Sequence, residues 1–246
     1  MRLQAYLRAV QHLPVTTVAR LTKGEPFLVL SPHPDDETLG AGGLISMAIN
    51  IGLHVEVMVL TDGAGSHPSS STYPKERLIE LRRKEVADAA AILRLPIEHI
   101  HHLNLVDTQA PRSGPAFDGA VRSIAKLVND IKARTVFVTW EMDAHCDHVA
   151  ASAMAKAVRE SCANLRLWAY PIWGWHLNPD AGIRLRSPRG VRLDILGHIA
   201  LKRSAIAAHR SQTTDLIADD PEGFRFTEQM LAPFLSRYEH FIEVMP

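Results

Sequence analysis

The sequence predicts an α/β fold in which helices cover both faces of a mostly parallel sheet. Three observations support this. Strand-like and helix-like segments alternate along most of the 246 residues. The strand-like runs, such as Phe27–Ser31, are short and almost wholly apolar, as buried parallel strands are. Long loops rich in Gly, Ser and Pro follow two strand ends, at 62–73 and 104–115, where ligands bind in open α/β sheets. We therefore expect a single domain, 1–246, with its site at one sheet edge.

Each element follows from its local pattern. Strand 53–61 places Leu53, Val55, Val57 and Val59 on one face, and helix 76–95 has apolar residues at helical spacing until Pro96 ends it. A small β-hairpin, 183–185 with 191–193 around the turn 187–190, is expected in the C-terminal third. In chain order, the remaining predicted elements are helix 36–52, strand 99–103, helix 118–131, strand 135–140, helix 146–160, strand 165–170, helix 196–208 and strand 238–244.

The composition is that of a soluble globular protein, and it excludes several functions. Lys plus Arg equal Asp plus Glu at 27 each, so no overall charge favours nucleic acid or anionic lipid. The first residues lack the apolar core of a signal peptide. The two cysteines, Cys146 and Cys162, form no CxxC pair, which indicates free thiols and a cytoplasmic location. The uncharged stretch 38–55 contains four glycines and directly follows three acids, so we expect a packed helix there and no membrane span.

The run 31–37, Ser-Pro-His-Pro-Asp-Asp-Glu, is the most informative part of the chain. It places His33 and three adjacent carboxylates directly after a buried strand. Such carboxylates repel one another and are costly to desolvate unless a cation lies among them. Capping of a helix N-terminus is the alternative explanation, but one acid would suffice for that.

A second cluster, 145–148, follows the strand-like run 135–139 and supplies His145 and His148. If a helix begins near Asp36, then His33, Asp36 and His148 can point at one ion. Two histidines and one carboxylate with open positions are a common arrangement for catalytic zinc. Asp35 would then be free to take a proton from water. Each histidine alone would more readily be explained as a surface or core residue.

The glycines of 40–43 offer a competing explanation, a dinucleotide-binding loop with Asp62 on the ribose. The spacing does not fit, since Ile45 stands where the third glycine belongs. The glycines also come too late after the strand and so lie inside the helix. Close packing of that helix on the sheet explains them better.

With both clusters in place, the chain resembles the PIG-L or LmbE-like family of zinc-dependent N-deacetylases. The family signature is a His-Pro-Asp-Asp-Glu box after the first strand and a later His-x-Asp-His box, here 33–37 and 145–148. Family-like features also occur at 61–63, at 82–85 and at 209–212. The resemblance spans most of 26–212 and implies a Rossmann-like sheet with the metal site at its carboxyl edge.

The resemblance implies a role for each site residue. His33, Asp36 and His148 are the expected zinc ligands, and Asp35 is the general base. His145 would stabilise the tetrahedral intermediate, with Asp147 hydrogen-bonded to it and favouring its cationic form. Where some members carry an aromatic hydroxyl two residues before that histidine, this chain has Asp143. The expected substrate contacts are Asp62, Arg82, His209 and Gln212, with weaker support, because Asp62 could merely cap a turn and Arg82 could be a solvated surface charge.

The expected function is removal of an N-acetyl group from an amino sugar or a related small metabolite. The expected cofactor is Zn²⁺, although Fe²⁺ accepts the same donors. One alternative is a zinc hydratase of the same family acting on an unsaturated carboxylate; Arg77, Arg82, Arg83 and Arg112 could provide its cationic pocket. Another is a non-catalytic sugar-binding domain. One of Trp173 and Trp175 could offer a flat face to a sugar ring, and the sequence leaves homo-oligomer formation open.

Overall fold

A computed structural model describes residues 2–183 and 187–245, and a sheet of eight strands runs through this part of the chain. The strand order is β1-β7-β8-β6-β5-β2-β3-β4, and all strands are parallel except β8. The strands are β1 (Val15–Thr16), β2 (Phe27–Ser31), β3 (Val55–Thr61), β4 (Ile100–Leu105), β5 (Thr135–Thr139), β6 (Arg166–Tyr170), β7 (Gly190–Asp194) and β8 (Tyr238–Glu243).

Helices cover both faces of the sheet. They are α1 (Leu3–Gln11), α2 (Val18–Thr22), α3 (Asp36–Asn50), α4 (Lys75–Leu93), α5 (Gly114–Asp130), α6 (Cys146–Ser161), α7 (Ile199–Ala208), α8 (Arg210–Thr213) and α9 (Glu228–Leu231). One apolar cluster joins α3, α4 and α7 to the sheet, and a second joins α5 and α6 to its other face. The predicted α/β architecture is confirmed.

Most element boundaries agree with the sequence expectations to within a few residues. Helix α5 begins four residues earlier than expected, since Pro115 is accommodated in its first turn. The expected strand 191–193 is present as β7, but its antiparallel partner is β8. Of the expected partner 183–185, Ile183 lies in no strand and residues 184–185 lie outside the described residues.

The glycines of α3 permit close packing, as the sequence indicated. A Cβ atom on Gly40 would lie 2.0 Å from the Tyr170 ring, and one on Gly43 would lie 2.5 Å from Ile195. Within the described ranges, no helix is long and apolar enough to cross a bilayer. Helix α3 covers most of the uncharged stretch, and its buried side chains pack in the protein core.

Strand β8 holds the middle of α3 through a buried carboxylate. Glu239 accepts hydrogen bonds from the backbone N–H groups of Gly43 (2.6 Å) and Leu44 (2.8 Å). The ammonium group of Lys202 on α7 lies 2.7 Å from the same carboxylate, and both charged side chains are buried. The pairing provides the charge compensation that a buried carboxylate requires.

Candidate functional site

Three ligand-type atoms meet at the carboxyl edge of the sheet. His33 lies in the loop after β2, Asp36 in the first turn of α3 and His148 in the first turn of α6. The His33 Nδ1 atom lies 3.1 Å from Asp36 Oδ2 and 3.2 Å from His148 Nε2. His148 Nε2 is also 3.2 Å from Asp36 Oδ2, so the atoms form a nearly equilateral triangle. All three side chains are buried.

The outward-facing nitrogens of both histidines contact carboxylates. His33 Nε2 lies 3.1 Å from Asp147 Oδ2 and 3.3 Å from Asp107 Oδ1, and His148 Nδ1 lies 2.9 Å from Asp143 Oδ2. An ionised carboxylate only accepts, so these outward nitrogens carry the hydrogens. In its neutral form each ring then turns a lone pair inward. Two lone pairs and a carboxylate oxygen therefore converge, which is how carboxylates orient metal-binding histidines.

The site has a strongly negative potential. Burial lowers the pKa of His148, but the charge of Asp36 and the hydrogen bonds to Asp143 and Asp36 outweigh it and raise the pKa to about 9. Burial likewise disfavours the charged form of Asp36, yet His148 and His33 hold its pKa below the usual range. Positive charge is therefore stabilised where the three atoms meet.

The donor set fits a small divalent cation. Bonds of about 2.0–2.1 Å in a tetrahedron require donor–donor separations of about 3.3 Å. The observed separations of 3.1–3.2 Å are close to this value. Among the described residues of this region, two further sets have ligand atoms that all lie within 4.8 Å of one another. They are His33, His145 and His148, and, separately, His33, Asp107, His145 and Asp147. This edge of the sheet thus carries a His/Asp cluster able to hold a metal.

The Asp35 side chain lies beside this triangle and makes no hydrogen bond to its three side chains. Its Oδ2 accepts a hydrogen bond from Arg82 at 3.0 Å, while no described residue pairs with Oδ1. Burial raises the pKa of Asp35 to about 8, aided by Asp36 and Glu37 and opposed by the Arg82 guanidinium. A buried carboxylate with one free oxygen and a raised pKa is suited to accepting a proton.

His145 also faces the cavity, but its relation to Asp147 differs from the expectation. The Asp147 carboxylate accepts from the N–H groups of Thr108 (2.7 Å) and Ala110 (2.9 Å) and from His33. It makes no hydrogen bond to the His145 ring, so that expected contact is wrong. Instead the Asp147 backbone N–H donates to His145 Nδ1 at 3.3 Å.

The tautomer of His145 follows from that bond. Because Nδ1 accepts, the neutral ring carries its hydrogen on Nε2. Burial, followed by the charges of His33 and His148, lowers the pKa of His145 despite the opposing charge of Asp147. The direction of this shift disfavours the expected cationic form of His145.

The four expected substrate contacts lie in different places. Gln212 lines the cavity and donates to Ser66 Oγ at 3.2 Å. Arg82 also lines it, but the side chain is buried and bound to Asp35 and to the carbonyls of Pro34 and Gly63. The other two, Asp62 and His209, do not line the cavity.

Asp62 and His209 instead support the surrounding loops. Asp62 accepts from the N–H groups of Ala64 (3.1 Å) and Asp107 (3.2 Å), so it caps a turn. His209 is buried, with Nε2 3.2 Å from the Thr38 hydroxyl. Both side chains support loops next to the site, but neither lines the cavity.

The cavity above the triangle has a volume of about 250 Å³ and an aromatic wall. Trp173, Phe224 and Phe226 form this wall, with the Trp173 ring 5.4 Å from Phe224 and 6.2 Å from Phe226. Trp175 instead packs against His240, with ring centres 5.3 Å apart. Of the two tryptophans noted in the sequence, Trp173 is the one that lines the cavity.

The site residues that sequence reasoning missed include two carboxylates and two phenylalanines. Asp107 and Asp143 orient the two inward-facing histidines, and Phe224 and Phe226 complete the aromatic wall. The role of Asp143 could have been predicted, since a carboxylate five residues before a candidate metal-binding histidine can reach the ring of that histidine. The two phenylalanines lie in a loop without periodicity, so no sequence pattern indicated them.

Comparison with known proteins agrees with this geometry. A family model described as PIG-L, GlcNAc-PI de-N-acetylase, matches residues 28–159, just over half of the chain. A 1D-myo-inositol 2-acetamido-2-deoxy-alpha-D-glucopyranoside deacetylase from Rhodococcus erythropolis is 23% identical over 267 residues, covering 88% of this chain and 90% of the relative. Further relatives are also named deacetylases.

Solved structures share the fold. N,N'-diacetylchitobiose deacetylase from Pyrococcus horikoshii has a TM-score of 0.64 at 21% identity, covering 89% of this chain and 84% of that one. GalB, a 4-carboxy-2-hydroxymuconate hydratase from Pseudomonas putida KT2440, also has a TM-score of 0.64 at 17% identity, covering 90% and 97%. At these identities the likeness concerns the fold alone. The family match and the curated relatives together confirm the expected enzyme class, and the chain belongs to the PIG-L family of de-N-acetylases.

Proposed function

We propose that this protein is a zinc-dependent hydrolase that removes the acetyl group from an N-acetylated amino sugar or a related small metabolite. The observation that carries the proposal is the triangle of His33, Asp36 and His148 with the unligated carboxylate of Asp35 beside it. A site that only bound sugar would gain nothing from a free buried acid at that position. The presence of Asp35 therefore favours a catalytic function over simple sugar binding.

The three residues of the triangle would hold the ion. Two imidazoles and one carboxylate at these separations suit Zn²⁺, and Fe²⁺ accepts the same donors. When bound, the ion supplies positive charge that acidifies water and polarises an amide carbonyl. The carboxylates Asp107, Asp143 and Asp147 hold both imidazoles in the binding tautomer.

Asp35 acts as the general base and then as the acid. Its free Oδ1 takes a proton from the attacking water, and its raised pKa of about 8 makes it a stronger base than an ordinary carboxylate. The same proton then passes to the nitrogen of the leaving amine. Arg82 keeps Asp35 in place through Oδ2, so the oxygen that transfers the proton is the one left free.

His145 stabilises the negative charge that develops on the carbonyl oxygen. The ring lines the cavity, and its Nε2 carries the hydrogen, because Nδ1 accepts the Asp147 N–H. Loss of one such donor typically reduces kcat about 100- to 1,000-fold. The side chain donates in its neutral form, so this role does not require protonation.

The cavity favours an amide-bearing sugar over an unsaturated polycarboxylate. Arg82 is the one Arg or Lys that lines the cavity in the described ranges, and Asp35 already neutralises it. A hydratase acting on a polycarboxylate would need a free cation to bind its substrate. The aromatic wall of Trp173, Phe224 and Phe226, beside the amide of Gln212, suits the apolar face and hydroxyl groups of a sugar ring.

The wider setting is also part of the proposal. We place the enzyme in the cytoplasm, as a single domain acting on a small molecule with no nucleic-acid partner. Its cysteines are free, its formal net charge is zero and the sheet extends from residue 15 to residue 243. Assembly into a homo-oligomer is compatible with this function and is not required for it, because one chain supplies every residue named for the chemistry.

The experiment is a screen of N-acetyl amino sugars for released acetate with metal-stripped and zinc-reloaded enzyme. We expect acetate release only after reloading, and almost none from an Asp35→Asn variant that binds zinc normally. Asp118→Asn, an exposed change on α5, is the matched control and should keep full activity. An active, zinc-loaded Asp35→Asn variant would refute the role of Asp35. Water addition to unsaturated carboxylates without acetate release would establish the hydratase instead.

A further inference from the structure

A second group of metal-type ligands lies at the opposite end of β3 and β4 from the cavity. It consists of His54, Glu56, His99 and His101, hereafter the β3–β4 histidine cluster. In the sheet, Val57 pairs with Ile100 and Met58 with His101, which brings the starts of the two strands side by side. The cavity lies beyond their other ends, so the cluster is separate from the site already described.

One buried carboxylate is at the centre of the cluster. His54 Nε2 lies 2.8 Å from Glu56 Oε1, and His101 Nε2 lies 2.8 Å from Glu56 Oε2. Glu56 is buried, while His54 and His101 expose 41% and 36% of their side chains. His54, Glu56 and His99 each present a ligand atom within 4.8 Å of the others. The rings of His54 and His99 are 4.6 Å apart.

The tautomer of His99 is the feature that points to a metal. Its Nδ1 lies 3.0 Å from the carbonyl oxygen of Val55. A carbonyl only accepts, so Nδ1 carries the hydrogen and Nε2 presents a lone pair. Metal-binding histidines are commonly fixed in this way, by a hydrogen bond from the other ring nitrogen to a backbone carbonyl.

Ion pairing of Glu56 does not by itself explain the cluster. Among the described residues, Glu56 pairs with no lysine or arginine, and its two hydrogen-bonded partners are His54 and His101. Two imidazoles already satisfy both carboxylate oxygens. His99 is a third imidazole, which the carboxylate does not need and which is oriented with its lone pair available.

We propose that His54, Glu56 and His99 bind a second divalent transition-metal ion, of the class that imidazole ligands favour, such as Zn²⁺. The exposed imidazole of His54 can rotate to bring donor separations of up to 4.8 Å towards the roughly 3.3 Å of a tetrahedral zinc site. His101 keeps the second oxygen of Glu56 in place. Because β4 is the edge strand, the ion would join an edge strand to its neighbour, which makes its role structural.

The test counts ions on the full-length protein. Metal-stripped wild-type protein and a His54→Gln/His99→Gln double variant are dialysed against Zn²⁺ and then against buffer, and retained zinc is measured by elemental analysis. We expect the double variant to retain one ion per chain fewer than wild type. The difference is the readout, so it remains valid even if the catalytic proposal fails and the first site holds no ion.

His12→Gln is the matched control, since His12 is exposed and its Nδ1 also lies near a backbone carbonyl, that of Arg8, at 2.7 Å. It should retain as many ions as wild type. Zinc should also raise the unfolding temperature more in wild type than in the double variant. Equal zinc retention by wild type and the double variant would overturn the proposal, as would an equal loss in His12→Gln.

Discussion

Replacement of Asp143 by asparagine tests whether the carboxylates behind the histidines control metal binding. Asp143 Oδ2 faces His148 Nδ1 at 2.9 Å and accepts the Ile172 N–H at 3.0 Å, while Oδ1 accepts the Gly174 N–H at 2.7 Å. Asparagine has the same shape but only one accepting oxygen. If that oxygen faces His148, the amide NH₂ group faces the Gly174 N–H, and one buried hydrogen bond is lost.

Asp143→Asn should change both the free energy of unfolding and the affinity for zinc. An unsatisfied buried donor costs about 1–3 kcal/mol, so the free energy of unfolding should fall by that amount. A neutral amide also polarises the His148 ring less than a carboxylate does. Changes at such outer-shell partners typically weaken metal binding about 10- to 100-fold, and we expect a loss of zinc affinity in this range.

The assay is competition for zinc between metal-stripped protein and a chromophoric chelator, at a temperature where both proteins are folded. Chemical denaturation measures the stability change separately. Asp130→Asn is the matched control, because Asp130 is exposed and its carboxylate pairs with Lys126 far from the site. Unchanged zinc affinity in a folded Asp143→Asn protein would refute the reasoning, as would an equal loss in the control.

Three further outcomes are expected. Arg82→Gln removes the charge that lowers the pKa of Asp35, so the acidic limb of the pH–rate profile should move to higher pH; an unmoved limb would contradict the assigned contact. Trp173→Ala should raise KM about 3- to 10-fold with a smaller change in kcat, whereas Trp175→Phe, outside the cavity, should leave KM unchanged. Burial lowers the pKa of His209 from 6.5 to about 3. As the pH falls below 6.5, this histidine takes up a proton in the unfolded chain before it does so in the folded protein. The free energy of unfolding, which is unaffected by this group above pH 6.5, therefore decreases as the pH falls towards 3. Wild type should therefore lose about 3 kcal/mol more stability than His209→Gln between pH 7 and pH 4 in denaturant titrations, and equal losses would refute this.

The sequence was sufficient to predict the sheet and the meeting of the two boxes, for a simple geometric reason. Parallel strands end at one edge, so His33 after β2 and His148 after β5 had to lie near each other. The partner of Asp147 could not be predicted in this way. It depends on backbone N–H groups in the loop after β4, and a loop rich in Gly, Ser and Pro has no periodicity from which its path follows.

The N-terminal region shows a different limit. Helix α1 buries Leu3, Tyr6 and Val10, which have helical spacing, yet no element was predicted before residue 27. That signal was present and was overlooked. Strand β1 has two residues, too few for any alternation to be recognised. The phenylalanine part of the aromatic wall was beyond prediction, since Phe224 and Phe226 reach the cavity only through tertiary packing.

The contact of Glu239 with α3 has a consequence for how the catalytic machinery is distributed along the chain. Asp36 sits in the opening turn of a helix whose midpoint is tethered by the final strand. A fragment truncated just before β8 would keep every signature residue and lose that tether, together with the charge partner of Lys202. The boxes contain the side chains proposed to bind the ion, while Glu239 in the last strand anchors the helix that carries one of them, Asp36.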